Sequence, residues 1–330
     1  MSIAGKDTMN DAEVMALLKI SGVKDKYVEK AFLFFREKGP GHAEEFYNKR
    51  DKRQYREEHM SLEVLKIYLR TLDNEETAKK VLEIWNESSV IDERIRGDFH
   101  THTEFSDGMN TTEEVLETAG SLGYSWIALS DHAPVPGNSY TLTVEKYMRR
   151  TEIAEKVSKR LGIDVYHSIE ANILEDGGLD IPEEIEGILD FAVASLHKSY
   201  GHSHARILER IERALQDERV IALTHPFFAI DPDEKFAGEL IALIGETGKA
   251  VELNLFPGYF AGNILLLKEL LKPENAETRV ILSTDAHCVG GLHRMRLGNF
   301  FLEHLGPGRV LNTLDELSIL GRRGASLLSK

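Results

Sequence analysis

Arg219-Val220-Ile221-Ala222-Leu223-Thr224-His225 is a short β-rich run that ends on a histidine. Residues 234–247 follow with apolar positions at helical spacing, and Lys249-Ala250-Val251-Glu252-Leu253-Asn254 is strand-like again. A strand, a helix and a second strand in this order imply two parallel strands joined by a crossover helix. The same alternation extends both ways. Further runs lie at Gly97 to His102, Tyr124 to Ser130, Asp164 to Glu170, Asp190 to His197 and Arg279 to Thr284. Helical stretches are predicted at 113–122, after a Thr111-x-x-Glu114 capping box, and at 144–161, 204–216 and 262–272. Seven strand units in about 235 residues suit a barrel, with a doubly wound open sheet as the competing architecture.

The chain before residue 96 differs in kind. Val14, Leu17 and Leu18, then Val28, Ala31, Phe32 and Phe35, then Leu62, Leu65, Ile67 and Leu69 repeat at helical spacing, and no strand pattern occurs. The expected organisation is a small all-helical domain over 1–95 and an α/β domain over 96–330. Within the first, Ile20-Ser21-Gly22-Val23-Lys24-Asp25-Lys26 resembles half of a helix-hairpin-helix, with Lys24 where the second glycine belongs.

Charge is distributed unevenly. Residues 1–95 carry 17 Lys+Arg against 19 Asp+Glu, and 96–330 carry 23 against 36, within a total of -15. An acidic α/β half argues against broad, non-specific attraction to nucleic acid. No apolar run approaches the ~18 to 20 residues of a membrane span, and the first residues show no secretory signal. Cys288, the single cysteine, excludes an internal disulfide framework and a structural zinc site built from cysteines. A cytoplasmic location and no membrane partner are expected.

Eleven of the 13 histidines follow residue 95, and many of them close strand runs. His100 and His102 are two apart at the end of the first, so strand alternation points both to one face. His132 follows the second run, Glu170 lies at the end of the third, and His197 and His225 end the fourth and fifth. Asp285 and His287 follow the seventh. In a barrel the C-terminal strand ends converge on one mouth, where chemistry is placed. Imidazoles with carboxylates suit Zn²⁺, Mn²⁺ or Fe²⁺. His167, three residues before Glu170, has the opposite parity and is assigned to structure. His42 and His59 have no ligand partner at useful spacing, and Cys288 has no activating neighbour.

His100-Thr101-His102-Thr103-x-x-Ser106-Asp107-Gly108, Ser130-Asp131-His132, Ile169-Glu170-Ala171, Ser195-Leu196-His197, Thr224-His225-Pro226 and Ser283-Thr284-Asp285-Ala286-His287 together resemble the polymerase-and-histidinol-phosphatase (PHP) superfamily of metal-dependent phosphoesterases. Arg96-Gly97-Asp98, Leu142-Thr143-Val144-Glu145, Glu252-Leu253-Asn254 and Met295-Arg296-Leu297-Gly298 are most similar to the C-terminal PHP domain of bacterial and archaeal family X DNA polymerases.

The resemblance implies a distorted (β/α)7 barrel with up to three divalent metal ions, Zn, Mn or Fe. One would be held by His100, His102, Glu170 and Asp285, a second by Asp107, His132 and His287, and a third by Glu170, His197 and His225. Asp131 and Asn254 would orient ligands. A metal-bridging hydroxide would attack phosphorus, and Asp285, His287 and Arg294 are the residues expected to act in catalysis, Arg294 as the phosphate contact. Lys198, His202 and His204 are further residues beyond strand ends that would grip phosphate or protonate the leaving group, or else stay solvated loop groups, and Arg296 is read as a structural ion-pair residue. The implied substrate is a phosphate ester. One reading is DNA 3′-end processing, as exonuclease or 3′-phosphatase. Another is a small-molecule phosphomonoesterase for histidinol phosphate, a nucleotide or a sugar phosphate, and a third is a non-catalytic regulatory module. Oligomeric state is left open.

Overall fold

The computed structural model describes residues 90–133, 141–231, 233–256 and 259–314. The helical stretches before residue 90, the hairpin-like segment Ile20 to Lys26, His42 and His59 lie outside the described residues.

Each of the seven strand runs contains a strand: β1 (Gly97–Asp98), β2 (Trp126–Leu129), β3 (Asp164–Asn172), β4 (Phe191–Ser195), β5 (Val220–Thr224), β6 (Ala250–Asn254) and β7 (Arg279–Ser283). All neighbours pair in parallel, in the sequential order β1 to β7. A doubly wound sheet would reverse its order at a switch point, and this one does not.

The sheet closes on itself. Asp285 N donates to His100 O and His102 N to Ala286 O, each at 3.0 Å, and Thr101 bridges Ala286 in parallel. At the opposite end Asn312, fully buried, is wedged between β1 and β7. Its Nδ2 donates to Gly97 O and Leu282 O, and its Oδ1 accepts from Leu282 N. The result is a nearly closed, distorted (β/α)7 barrel.

β1 is shorter than expected, because the chain bends at Phe99 while the Asp98 carboxylate accepts from His100 N at 3.1 Å. Gly97 allows β2 to come close, since a Cβ there would lie 2.2 Å from Trp126 O.

Crossover helices α1 (Thr112–Ser121), α2 (Val144–Leu161), α3 (His204–Leu215), α4 (Glu234–Thr247) and α5 (Phe260–Leu270) link successive strands, and α6 (Gly298–Leu305) follows β7. The capping box of α1 is formed in both directions: Glu114 N donates to Thr111 Oγ1 and Thr111 N to Glu114 Oε2. One stripe of each amphipathic helix, such as Ile207 and Ile211 of α3, packs on the outward face of the strands.

The inward face carries a separate apolar plug of Phe99, Trp126, Tyr166, Phe191, Val193 and Ile281. Residues of the same parity further along these strands, Glu170, His197 and Asp285, therefore stand above that plug at the C-terminal mouth.

Candidate metal centre

Six of the seven strand units supply the clustered side chains. His100 and His102 follow β1, and the loop from Thr103 carries Asp107. His132 lies beyond β2 and is bridged in parallel to Glu170 of β3. His197 and His225 follow β4 and β5, and Asp285 and His287 follow β7. His225 and Asp285 have φ of 24° and 49°, values that non-glycine residues seldom adopt. The turns there carry strain that the site's own bonds retain: His225 N donates to Glu252 Oε2 at 2.7 Å, and Asp285 N to His100 O.

All nine expected ligand residues come together. Ligand atoms of His102, Asp107, His132 and His287 lie within 4.8 Å of one another, as do those of three overlapping groups: His100, His102 and Glu170; His100, His225 and Asp285; and His132, Glu170 and His197. His102 thus stands between the first and second expected groups. Glu170, fully buried, is the hub. It is 2.6 Å from His132 Nδ1, 2.7 Å from His225 Nε2, 3.1 Å from His197 Nε2 and 3.6 Å from His100 Nε2. His132, His197 and Asp107 keep side-chain exposures of 23, 20 and 23%, while the other six are nearly inaccessible. The cluster opens to solvent along that edge.

Facing charges within the cluster oppose the effect of burial on its titratable groups. Burial disfavours charge on His100 and His132, yet facing carboxylates outweigh it and hold both pKa values well above the ordinary imidazole range: Asp285, Glu170 and Glu252 for His100, Asp107 and Glu170 for His132. His225 is raised in the same way, burial being outweighed by Glu170. Burial also opposes charge on Glu170 and Asp107, but imidazoles pull both well below the usual carboxylate values: His132, His197 and His100 for the first, His132 and His287 for the second. His102 goes the other way, down to about 4, through burial and then the neighbouring His287 and His132.

This donor set fits a divalent metal. His102 Nε2 faces His100 Nε2 at 3.1 Å and Asp285 Oδ1 at 3.0 Å, so lone pairs converge where only a proton or a cation can lie between them. His102 Nδ1, His225 Nδ1 and Glu170 Oε2 are buried with no partner in hydrogen-bonding geometry, a costly state for apolar surroundings. Imidazole and carboxylate are donors for Zn²⁺, Mn²⁺ and Fe²⁺.

A ring of partners aims the ligands. Glu252 Oε1 lies 2.9 Å from His100 Nδ1. Asn254 Nδ2 donates to Asp285 Oδ2 at 3.0 Å, the orienting contact the resemblance implied. Asp131 accepts from Thr103 N, Thr103 Oγ1 and Ser106 Oγ and pairs with Arg150 of α2 at 2.7 Å. It therefore tethers the loop that carries Asp107 and touches no ligand side chain in these bonds. Ser195 Oγ donates to Glu170 Oε1 at 2.5 Å and is hydrogen-bonded to Thr224 Oγ1.

Glu252, Ser195 and Thr224 had been noted only as parts of motifs. Asn172 and Asp180 were not singled out, although Asn172 shares the strand parity of Glu170, the one signal that pointed to it. His167 is on the opposite face, as expected. Its N donates to Asp190 Oδ2, and burial and Arg150 lower its pKa to about 3.

Arg294 is 3% exposed. Its guanidinium carbon lies 4.7 Å from the Phe256 ring centroid, and Nη1 reaches Thr284 O at 3.4 Å. Arg296 lies in the same 3-10 segment, Val289–Leu297. Lys198 lends its carbonyl to Arg210, His202 lies 3.9 Å from Glu175, and the His204 ring packs 4.9 Å from Phe236. Cys288 is buried.

Residues 98–255 match the family model for the PHP domain. That stretch of the chain is a PHP domain. Over 215 residues the chain is 28% identical to the DNA polymerase/3′-5′ exonuclease PolX of Bacillus subtilis, an alignment covering 62% of this chain and 36% of that protein. It is 30% identical over 165 residues to a probable phosphatase of Caldicellulosiruptor saccharolyticus, covering 47% and 64%. It is also 29% identical over 227 residues to a probable phosphatase of Caldanaerobacter subterraneus, covering 66% and 86%. The chain thus spans about a third of the first of these relatives and just under two thirds of the second. Among solved structures it is similar to the histidinol phosphate phosphatase of Lactococcus lactis, at TM-score 0.46 and 16% identity over 64% of this chain and 94% of that one. No helix among the described residues is long and apolar enough to cross a membrane.

Proposed function

We propose that this chain is a metal-dependent phosphoester hydrolase working at the barrel mouth, with residues 96–330 as its phosphoesterase domain and 1–95 as a separate helical domain. The observation that carries the reading is the convergence of six imidazoles and three carboxylates from six of the seven strand units on the barrel mouth. His100, His102, Asp107, His132, Glu170, His197, His225, Asp285 and His287 would hold up to three divalent cations, Zn, Mn or Fe. Such cations neutralise phosphoryl oxygens and lower the pKa of water.

The chain's own groups do the positioning. Glu170 draws together the imidazoles of four strand ends, and Asp285, held by Asn254 and by the His100 carbonyl, completes the deep wall. His132, His197 and Asp107 line the open edge through which the ester enters. Arg294, whose guanidinium reaches Thr284 O beside Asp285, is the cation we place nearest the phosphate.

A recess with six of nine ligands nearly inaccessible favours a terminal phosphate, which enters end-on. An internal phosphodiester would have to lay chain across the rim on both sides. The acidic balance of the barrel half points the same way, since an extended strand favours a basic groove. A small phosphomonoester is therefore the preferred substrate class. Similarity to PolX favours a second reading, processing of a DNA 3′ end.

One assay separates the two. Phosphate release from a panel of monoesters is followed beside shortening of a labelled single-stranded DNA, with Mn²⁺ and Zn²⁺ supplied separately and His197→Ala as control. Phosphate release lost in the control supports the first reading, and strand shortening lost in the control supports the second. Neither activity with either metal would refute both and leave the regulatory module.

A further inference from the structure

His197 is tied to a residue chain that leads away from the cluster. Its Nδ1 lies 2.6 Å from Asn172 Oδ1, Asn172 Nδ2 donates to Asp180 Oδ2 at 2.6 Å, and Asn172 N donates to Asp180 Oδ1 at 2.7 Å. Asn172 is the last residue of β3. Asp180 belongs to the loop that follows, which doubles back through an antiparallel bridge between Ile173 and Leu179.

The chemistry of this chain has one solution. An ionised carboxylate only accepts hydrogen bonds. Asp180 takes the backbone N–H on one oxygen, and its other oxygen must face the amide nitrogen of the Asn172 side chain. That orientation presents Asn172 Oδ1, an acceptor without a proton, to His197. His197 Nδ1 must then carry the proton, which leaves the lone pair on Nε2, 3.1 Å from Glu170 Oε1. The carboxylate sets the amide, the amide sets the tautomer, and the tautomer aims the lone pair into the cluster.

The loop is itself anchored. Arg210 of α3, fully buried, donates to Ile173 O, Leu174 O and Lys198 O at 2.9 to 3.0 Å. One side chain so fastens the loop of Asp180 to the strand end of His197. Gly177, at φ +91°, passes where a Cβ would lie 3.0 Å from Arg213 Cβ and 3.1 Å from Arg210 backbone atoms, so the loop seats directly on that helix.

We propose that Asp180, acting through Asn172, is a positioning residue that locks His197 as the Nδ1–H tautomer and so creates the exposed-edge metal position. The function of the lock rests on the reading of His197 as a ligand. His100, by contrast, faces the Glu252 carboxylate directly. The neutral amide behind His197 would make it a less basic ligand than His100.

Two measurements test this on the full-length protein. The first is the ¹⁵N tautomer of His197 in metal-free protein at about pH 8, where an ordinary imidazole is neutral. Nδ1–H is expected in the wild type, and a shift toward Nε2–H in Asp180→Ala. An Nε2–H wild type, or an unchanged tautomer in Asp180→Ala, overturns the proposal.

The second is Mn²⁺ binding by titration and elemental analysis. Asp180→Ala is expected to weaken one ion about ten- to hundredfold and leave the others bound. Asp180→Glu should keep part of the affinity that Asp180→Ala loses, and Asp176→Asn, in the same loop, should lose none. His197→Ala distinguishes the two levels of argument. Loss of an ion in His197→Ala but not in Asp180→Ala sinks the positioning role alone, whereas unchanged stoichiometry in His197→Ala sinks the ligand reading beneath it.

Discussion

Replacing Arg150 by Met removes one half of an ion pair that lies wholly inside the protein. Arg150 Nη1 meets Asp131 Oδ2 at 2.7 Å, both side chains are inaccessible, and Nη2 donates to Ser168 O at 2.8 Å. Burial works to raise the Asp131 pKa, but the Arg150 guanidinium, with His102 and the Ser106 hydroxyl, outweighs it and keeps the carboxyl below its ordinary value. Without the guanidinium the carboxylate is left buried with only the neutral donors Thr103 N, Thr103 Oγ1 and Ser106 Oγ and no opposing charge in contact, which costs about 3 to 5 kcal/mol. For a barrel of this size, with a urea dependence of about 2 to 3 kcal/mol per molar, the midpoint should fall by about 1 to 2 M.

The pH dependence follows with a definite sign. In the wild type the depressed Asp131 contributes stability that is present above its unfolded pKa and is lost as pH falls through the folded value. In Arg150→Met burial dominates, the folded pKa rises above the unfolded one, and the penalty grows as pH rises. The gap between the proteins should therefore be wider at about pH 8 than at about pH 5. Urea unfolding of both in excess chelator, followed by circular dichroism, reads it. A midpoint change worth less than about 1 kcal/mol, or a gap that does not widen with pH, would refute the account of Asp131 as a charge held by Arg150.

Four further outcomes are expected. Glu170→Ala should abolish phosphate release while leaving the far-ultraviolet spectrum unchanged, and activity with full metal occupancy would remove Glu170 from the centre. Glu252→Gln should weaken metal binding about ten- to hundredfold by replacing the carboxylate behind His100 with an amide; unchanged Mn²⁺ affinity by calorimetry counts against that role. Asp190, pushed up to about 6 by burial while accepting from His167 N, loses stability as pH rises from its unfolded value through the folded one. Asp190→Asn should therefore gain about 1 to 2 kcal/mol above about pH 6 and nothing near pH 4, and equal urea midpoints across that range contradict it. Chelator should lower the melting temperature and added Mn²⁺ should restore it, because a ligand of the folded state alone stabilises by mass action.

Seven β-rich runs alternating with amphipathic stretches were enough to predict parallel strands joined by helices and to favour a barrel over a doubly wound sheet, because such units have few ways to pack. The clustered residues were legible for a related reason: Glu170, His197 and Asp285 close the third, fourth and seventh strand units, and a barrel brings such positions to one mouth whatever their separation in the chain. Chemistry at a strand end is carried by the residue type itself, and the residue type is what a sequence displays.

What tertiary structure alone decided is who touches whom. The bend at Phe99 ended β1 early, so the reach of His100 and His102 depended on a hydrogen bond from His100 N to the Asp98 carboxylate that no alternation rule contains. Asp180 lies in a loop with no pattern of its own, and it reaches Asn172 only because Arg210, some thirty residues further on, fastens that loop to the end of β4. Asn312 closes the barrel from 30 residues beyond β7's Leu282. Each is a single side chain acting at long sequence separation. Periodicity reports the face a residue occupies and is silent on its partner, because partner choice is set by distances of a few tenths of an ångström that exist only once the barrel has closed.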